Sequence, residues 1–82
     1  MKYLETIKNV LENKLGDELL VSVDKIEKND NLFNLGLDSL NVIKLIIGVE
    51  EELNVKFYDK DIDSENWKSV ENINKLIEER KV

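Results

Sequence analysis

A chain of 82 residues with 18 acidic against 12 basic side chains, and with neither His nor Cys, is expected to form one small domain over residues 1–82. The missing residues remove the commonest general base, the thiol nucleophile, almost every zinc, haem or iron–sulfur site and any disulfide framework. A net charge of -6 disfavours nucleic acid, no run approaches the roughly 20 apolar residues that span a bilayer, and the start does not read as a secretory signal, so a cytoplasmic monomer with no nucleic-acid or membrane partner is expected.

In chain order, Tyr3, Leu4, Ile7, Val10, Leu11 and Leu15 recur at spacings of three and four. They predict a first helix with one apolar stripe, ended by Gly16 in the left-handed conformation. Residues 17–37 carry no helical stripe, yet Leu19, Leu20, Val21, Val23, Ile26, Leu32, Phe33, Leu35 and Leu37 are too apolar for disorder. A long ordered loop pinned to the core is expected, with a short strand at Val21–Val23 as the competing local reading. A second helix is predicted over Asp38–Leu53, capped by Asp38 or Ser39. Val55 and Phe57 plug the core after it, and a short third helix is placed near Asp61. Ser69 caps the last helix, whose buried face is Val70, Ile73, Leu76 and Ile77. The expected fold class is all-α, a small four-helix bundle with three main helices, a short third one, and a long loop between the first two.

The second helix carries most of the functional information. At 100° per residue, Val42, Leu45, Ile46, Val49 and Leu53 fall within a sector of about 100° that forms the core face. Leu40, Ile43 and Ile47 make a second apolar cluster, bordered by Lys44, Glu50 and Glu51. An apolar strip rimmed by charge marks a contact surface. Ser39 sits in the first turn beside it, where unpaired backbone N–H groups and the positive end of the helix dipole favour a phosphate. On those residues alone a helix cap is the simpler reading, because Asp-Ser begins many helices.

The wider stretch Asn31-Leu-Phe-Asn-Leu-Gly-Leu-Asp-Ser-Leu40 resembles the phosphopantetheine attachment motif of acyl and peptidyl carrier proteins. The segment from Ile43 to Phe57, with Glu50-Glu51-Glu52, resembles that family's second helix and exit, and Asn66-Trp67-Lys68-Ser69-Val70 resembles the start of its fourth helix. The resemblance implies that Ser39 is the attachment site, with Asp38 matching the aspartate that precedes it. It implies a 4'-phosphopantetheine arm, transferred from coenzyme A by a magnesium-dependent phosphopantetheinyl transferase, that holds acyl or aminoacyl groups as thioesters. The chain itself would catalyse nothing and would present its cargo to partners on a tether. Leu40, Ile43 and Ile47, with Glu50 and Glu51, would face the transferase, an acyl- or aminoacyl-activating ligase, and downstream transferases and synthases. Asn41 and Lys44 stand where many fatty-acid-synthesis carriers place acids. Gly36-Leu37 and Asn66-Trp67 look closer to peptidyl carriers and stand-alone carriers of specialised pathways, so a dedicated ligase is the expected setting. The alternative is an unmodified helical adaptor that binds a protein through the Leu40, Ile43 and Ile47 strip.

Other groupings carry less. Asp59, Asp61, Asp63 and Glu65 alternate like the start of a calcium loop, but Ser64 replaces the glycine at position six and Val70 the glutamate at position twelve. They are expected to form a solvated acidic loop. Glu50, Glu51 and Glu52 point in different directions from consecutive helix positions. Trp67 is expected in the core rather than stacked on a ligand, and no metal site is expected.

Overall fold

The computed structural model describes residues 1–81. Three α-helices, α1 (Leu4–Leu15), α2 (Val42–Leu53) and α3 (Val70–Arg80), make a small all-helical globule with no strand among the described residues. The apolar stripes decide the packing. Ile7, Leu11 and Leu15 of α1, Leu45 and Val49 of α2, and Ile73 and Ile77 of α3 lie in one core with essentially no exposed surface. Ser69 caps α3 with its side-chain oxygen, which accepts from the Asn72 N–H at 3.1 Å. Asn74, buried on α3, accepts from the Tyr3 N–H at 2.8 Å and ties the start of α1 to it.

The connection between α1 and α2 folds as two short 3-10 turns, Val23–Lys25 and Leu32–Leu35, and not as a strand. Val23, Ile26, Leu32 and Leu37 anchor it in the core, whereas Leu20 and Val21 are exposed. Two backbone bonds hold it against the start of α3, from Leu32 N–H to the Lys68 carbonyl at 2.7 Å and from Glu71 N–H to the Lys28 carbonyl at 2.9 Å.

Four sequence expectations need correction. The short third helix is instead a pair of 3-10 turns, Asp59–Ile62 and Ser64–Trp67. Side chains of Asp61 and Asp63 accept local backbone N–H groups there, at 2.8 Å from Tyr58 and 2.9 Å from Glu65, which stabilises turns in place of a continuous helical ladder. Regular α2 begins at Val42 rather than Asp38, after a turn over residues 39–41. Gly16 is right-handed, with φ -50°. The left-handed positions are Gly36, φ 116°, and Asn54, φ 52°, which ends α2.

The fourth correction concerns Asp61, which is buried rather than solvated. Its side chain is 3% exposed and receives both Nη2 and Nε of Arg80, at 2.7 and 2.8 Å. The Arg80 guanidinium also lies 5.0 Å from the centre of the Tyr58 ring, within cation–π range. The Arg80 hydrogen bonds, aided by the Tyr58 N–H, hold the Asp61 carboxyl below its ordinary value of 3.8 despite burial. A carboxyl depressed in the folded state adds stability above its unfolded value and loses it as pH falls through the lower folded value. Asp61→Asn is therefore expected to be less stable than wild type in urea melts at neutral pH. The gap should begin to close only below about pH 4, as the wild-type carboxylate takes up its proton. A gap that does not vary with pH would show that the ion pair contributes nothing beyond packing.

Candidate functional site

Ser39 lies in the exposed turn that leads into α2. The cap of that turn is its neighbour. Asp38 Oδ1 accepts from the N–H groups of Leu40 and Asn41, at 2.9 and 2.8 Å, and the Asp38 carbonyl accepts from Val42 N–H at 2.9 Å. Of the two caps the sequence offered, the structure uses Asp38. Capping satisfies orphan donors at the helix start without enlisting the serine hydroxyl.

The loop before the turn depends on Gly36. At its positive φ of 116° an L side chain is strained, and an added Cβ would come within 2.6 Å of the Glu18 carbonyl oxygen. The backbone of residues 35–37 thus lies directly on the first part of the long loop, where Leu20 N–H donates to the Leu35 carbonyl at 2.8 Å. Asn41, buried behind the turn, donates through Nδ2 to the Gly36 carbonyl at 3.0 Å and to Glu18 Oε1 at 3.2 Å, and accepts from Asp38 N–H at 2.6 Å. Lys44 Nζ lies 2.8 Å from the other Glu18 oxygen. The Lys44 and Asn41 hydrogen bonds hold the Glu18 carboxyl below its usual range. Asn41 and Lys44 are readable in the sequence as departures from a family pattern, but their convergence on Glu18 is not, because 23 and 26 residues separate the partners.

Beside Ser39 opens a cavity of about 360 Å³ lined by Phe33, Ser39, Val42, Ile43, Ile62, Ser64 and Trp67. All but the two serines are apolar. One wall is α2 and the other is the pair of 3-10 turns, so a group joined to the Ser39 oxygen has water on one side and a hydrophobic groove on the other. The placement of Ser39 fits an attached phosphate ester: the residue is exposed, and the positive end of the α2 dipole lies immediately after its turn, although Asp38 already takes the N–H groups of Leu40, Asn41 and Val42. Trp67 is buried in the core, as the sequence reading expected, and also lines this groove.

Leu40 is 84% exposed, Ile43 44% and Ile47 47%, while Leu45, Ile46 and Val49 are buried. The two apolar clusters of α2 therefore face opposite environments. The two acids assigned to the rim differ in what they touch. Glu51 is open and 3.9 Å from Lys14, whereas Glu50 accepts from the Phe57 N–H at 3.0 Å and fastens the exit of α2. The described residues contain no cluster of acids that could hold a metal and no helix long and apolar enough to cross a membrane.

Comparison with known proteins adds one family match, one relative and two solved structures. A family model described as "Phosphopantetheine attachment site" matches residues 9–77. An acyl carrier protein of Clostridium perfringens (strain SM101 / Type A) is 34% identical over 70 residues, covering 84% of this chain and 90% of its own length. Among solved structures, this chain superimposes with a TM-score of 0.85 at 25% identity, over 92% of its length and 95% of the other chain, on a chain of a ligase–carrier complex. That crystal structure holds an engineered Bradyrhizobium japonicum glycine:[carrier protein] ligase with carrier protein from Agrobacterium tumefaciens and ATP. The complex of the Bradyrhizobium japonicum ligase with its cognate carrier protein and a glycyl adenylate analogue gives 0.70 at 23% identity, over 96% of this chain and 95% of the other, a likeness of fold.

Proposed function

From the premise that this chain belongs to the carrier-protein family defined by the phosphopantetheine attachment site, we propose that a phosphopantetheinyl transferase loads the arm onto Ser39 and that a dedicated ligase then joins the cargo to the arm's thiol. The chain's cofactor is a covalent 4'-phosphopantetheine group, and its function is to carry acyl groups as thioesters. The arm supplies the thiol that a cysteine-free sequence lacks. The observation that carries the assignment to Ser39 is its placement: an exposed serine on the α2 turn, released from capping by Asp38 and lining an apolar groove. In loading, the Ser39 oxygen bonds to phosphorus, the pyrophosphate link of coenzyme A breaks, its nucleotide half departs, and the serine proton is lost. The chain works by presentation on a tether, which raises the effective concentration of cargo at each partner's site. A cargo activated as an aminoacyl adenylate is the favoured class, because two of the structural relatives sit in complexes with glycine:[carrier protein] ligases. The test is incubation with coenzyme A and a broad-specificity phosphopantetheinyl transferase, followed by intact-mass measurement and peptide mapping. One added arm on Ser39 is expected. No gain with several active transferases, or an arm on Ser22, Ser64 or Ser69, would overturn the assignment.

The Leu40, Ile43 and Ile47 strip is the proposed contact for transferase and ligase, with Glu51 the freer of the two acids to steer the encounter. Truncating an apolar anchor weakens docking, whereas rim charges mainly alter association rate and salt dependence. Ile43→Ala is expected to raise the KM for the carrier in the loading reaction while changing stability by less than about 1 kcal/mol. Ile46→Ala, three positions on and 4% exposed, should do the reverse and lose about 2–5 kcal/mol. Loading kinetics and urea melts of both variants check this. Equal destabilisation by the two would assign the strip to the core.

A further inference from the structure

We infer that Asn41 is a positioning residue for loading: its carboxamide locks the Ser39 turn onto the first loop through Glu18 and Gly36, and so fixes where the serine oxygen is offered to the transferase. The inference rests on Ser39 being the attachment site. Asp38 and Asn41 clasp each other around the serine. The Asp38 carboxylate accepts the Asn41 N–H at 2.8 Å, and the Asn41 carboxamide oxygen accepts the Asp38 N–H at 2.6 Å. This is the reciprocal arrangement of a capping box, closed over Ser39 and Leu40. The amide nitrogen then reaches the other way, to the Gly36 carbonyl and to Glu18, whose second oxygen is held by Lys44 one turn along α2.

At 4% exposed, Asn41 contacts no partner in the way Leu40 or Ile43 can, so its influence on loading runs through the turn. The position needs a group that accepts from one side and donates to the other. Among side chains of this size only a carboxamide does both without a proton in question, since an ionised carboxylate accepts only. Replacing Asn41 by Asp keeps the shape and the bond from Asp38 N–H, but sets a carboxylate against Glu18 and the Gly36 carbonyl. The charged groups around that point are Glu18, Lys44 and Asp38.

The experiment is steady-state loading of the full chain with coenzyme A and a phosphopantetheinyl transferase, followed by intact mass, with thermal melts of every variant. For Asn41→Asp, kcat is expected to fall about tenfold at neutral pH with KM for the carrier within about twofold, because the loss is of alignment and not of docking. The ratio of variant to wild-type kcat should recover as pH is lowered and the new carboxyl gains a proton to donate. Adding Glu18→Gln should bring kcat back to within about threefold of wild type, since the new amide donates to the carboxylate and its oxygen still accepts from Lys44. A general loss of stability would move melting alone and would not be rescued in kcat by a second change 23 residues away. A folded Asn41→Asp with unchanged kcat, or a double variant that is not restored, overturns the inference. If Asn41→Asp does not fold, Glu18→Ala decides, with a fall in kcat of about threefold expected and an unchanged value overturning it. A wild-type chain that gains no arm overturns the Ser39 assignment, whereas a wild type that loads as fast as folded Asn41→Asp overturns this inference alone.

Discussion

Ser39→Ala is expected to abolish loading completely and to leave the domain folded. The two halves of that result have separate physical causes. Loading needs an oxygen nucleophile on the turn, and alanine has none. The other serines are poor substitutes. Ser69 is buried and its side-chain oxygen caps α3. Ser22 precedes one 3-10 turn and Ser64 begins another, so neither stands at the start of an α-helix, although Ser64 lines the same groove as Ser39. Stability is spared because the hydrogen bonds that hold the turn belong to Asp38 and Asn41. Ser39 is exposed, and surface substitutions away from caps and core usually stay within about 0.5 kcal/mol. Intact mass after incubation with transferase and coenzyme A measures the first half, and a thermal melt followed by circular dichroism measures the second. An arm that still appears on the alanine variant would place the attachment elsewhere. Unfolding of the variant would make Ser39 a structural residue and return weight to the adaptor reading of the α2 strip.

Much of this site could be read in the sequence because its signals are local. The spacing of Leu45, Ile46 and Val49 against Leu40, Ile43 and Ile47 separates two faces of one helix, and the burial pattern has the same division. Ser69 before Val70 is a cap at the expected place. Asp38-Ser39 is ambiguous as a dipeptide, and only the longer motif around it points to an attachment site. What the sequence could not supply are bonds between distant residues. Glu18 reaches Asn41 across 23 positions, and Asp61 reaches Arg80 across 19. No periodicity encodes such pairs. The acidic run from Asp59 to Glu65 reads as solvated because Arg80 is remote in the chain, yet Arg80 allows Asp61 to be buried. Gly16 is a natural candidate for a left-handed helix end, but the chain turns there through bonds from Glu18 and Leu19 N–H to the Leu15 carbonyl, at 2.9 and 3.1 Å. The left-handed glycine is needed at Gly36, where the close approach of the Glu18 backbone leaves no room for a side chain.

Trp67→Ala is expected to be the most destabilising single change in the chain. Trp67 is fully buried, at 0% exposed. Its ring meets Phe57 edge to face, with centroids 5.2 Å apart and planes at 89°, the geometry that aromatic pairs favour. Its indole N–H donates to the Asp61 carbonyl at 2.9 Å. Truncation therefore opens a cavity, removes the aromatic pair and takes from the Asp61 carbonyl the nearer of its two donors, leaving Asn66 Nδ2 at 3.2 Å. Phe or Trp to Ala in a core costs about 3–5 kcal/mol, against a total stability for a domain of this size on the order of 4–12 kcal/mol. At about 4–8 °C per kcal/mol, the melting temperature should fall by on the order of 20 °C. Trp67→Phe keeps most of the packing and loses chiefly the N–H bond, so its loss should be several-fold smaller. Circular dichroism suits both variants, and in wild type the single tryptophan should report the same transition as its emission shifts to the red on exposure. Trp67 also lines the groove beside Ser39, yet it holds no part of the serine turn. A Trp67→Phe chain that stays folded should thus load at close to the wild-type rate. A fall of less than about 5 °C for Trp67→Ala would contradict a fully packed indole, and slow loading of folded Trp67→Phe would mean that the groove wall, and not the turn alone, sets how Ser39 is presented.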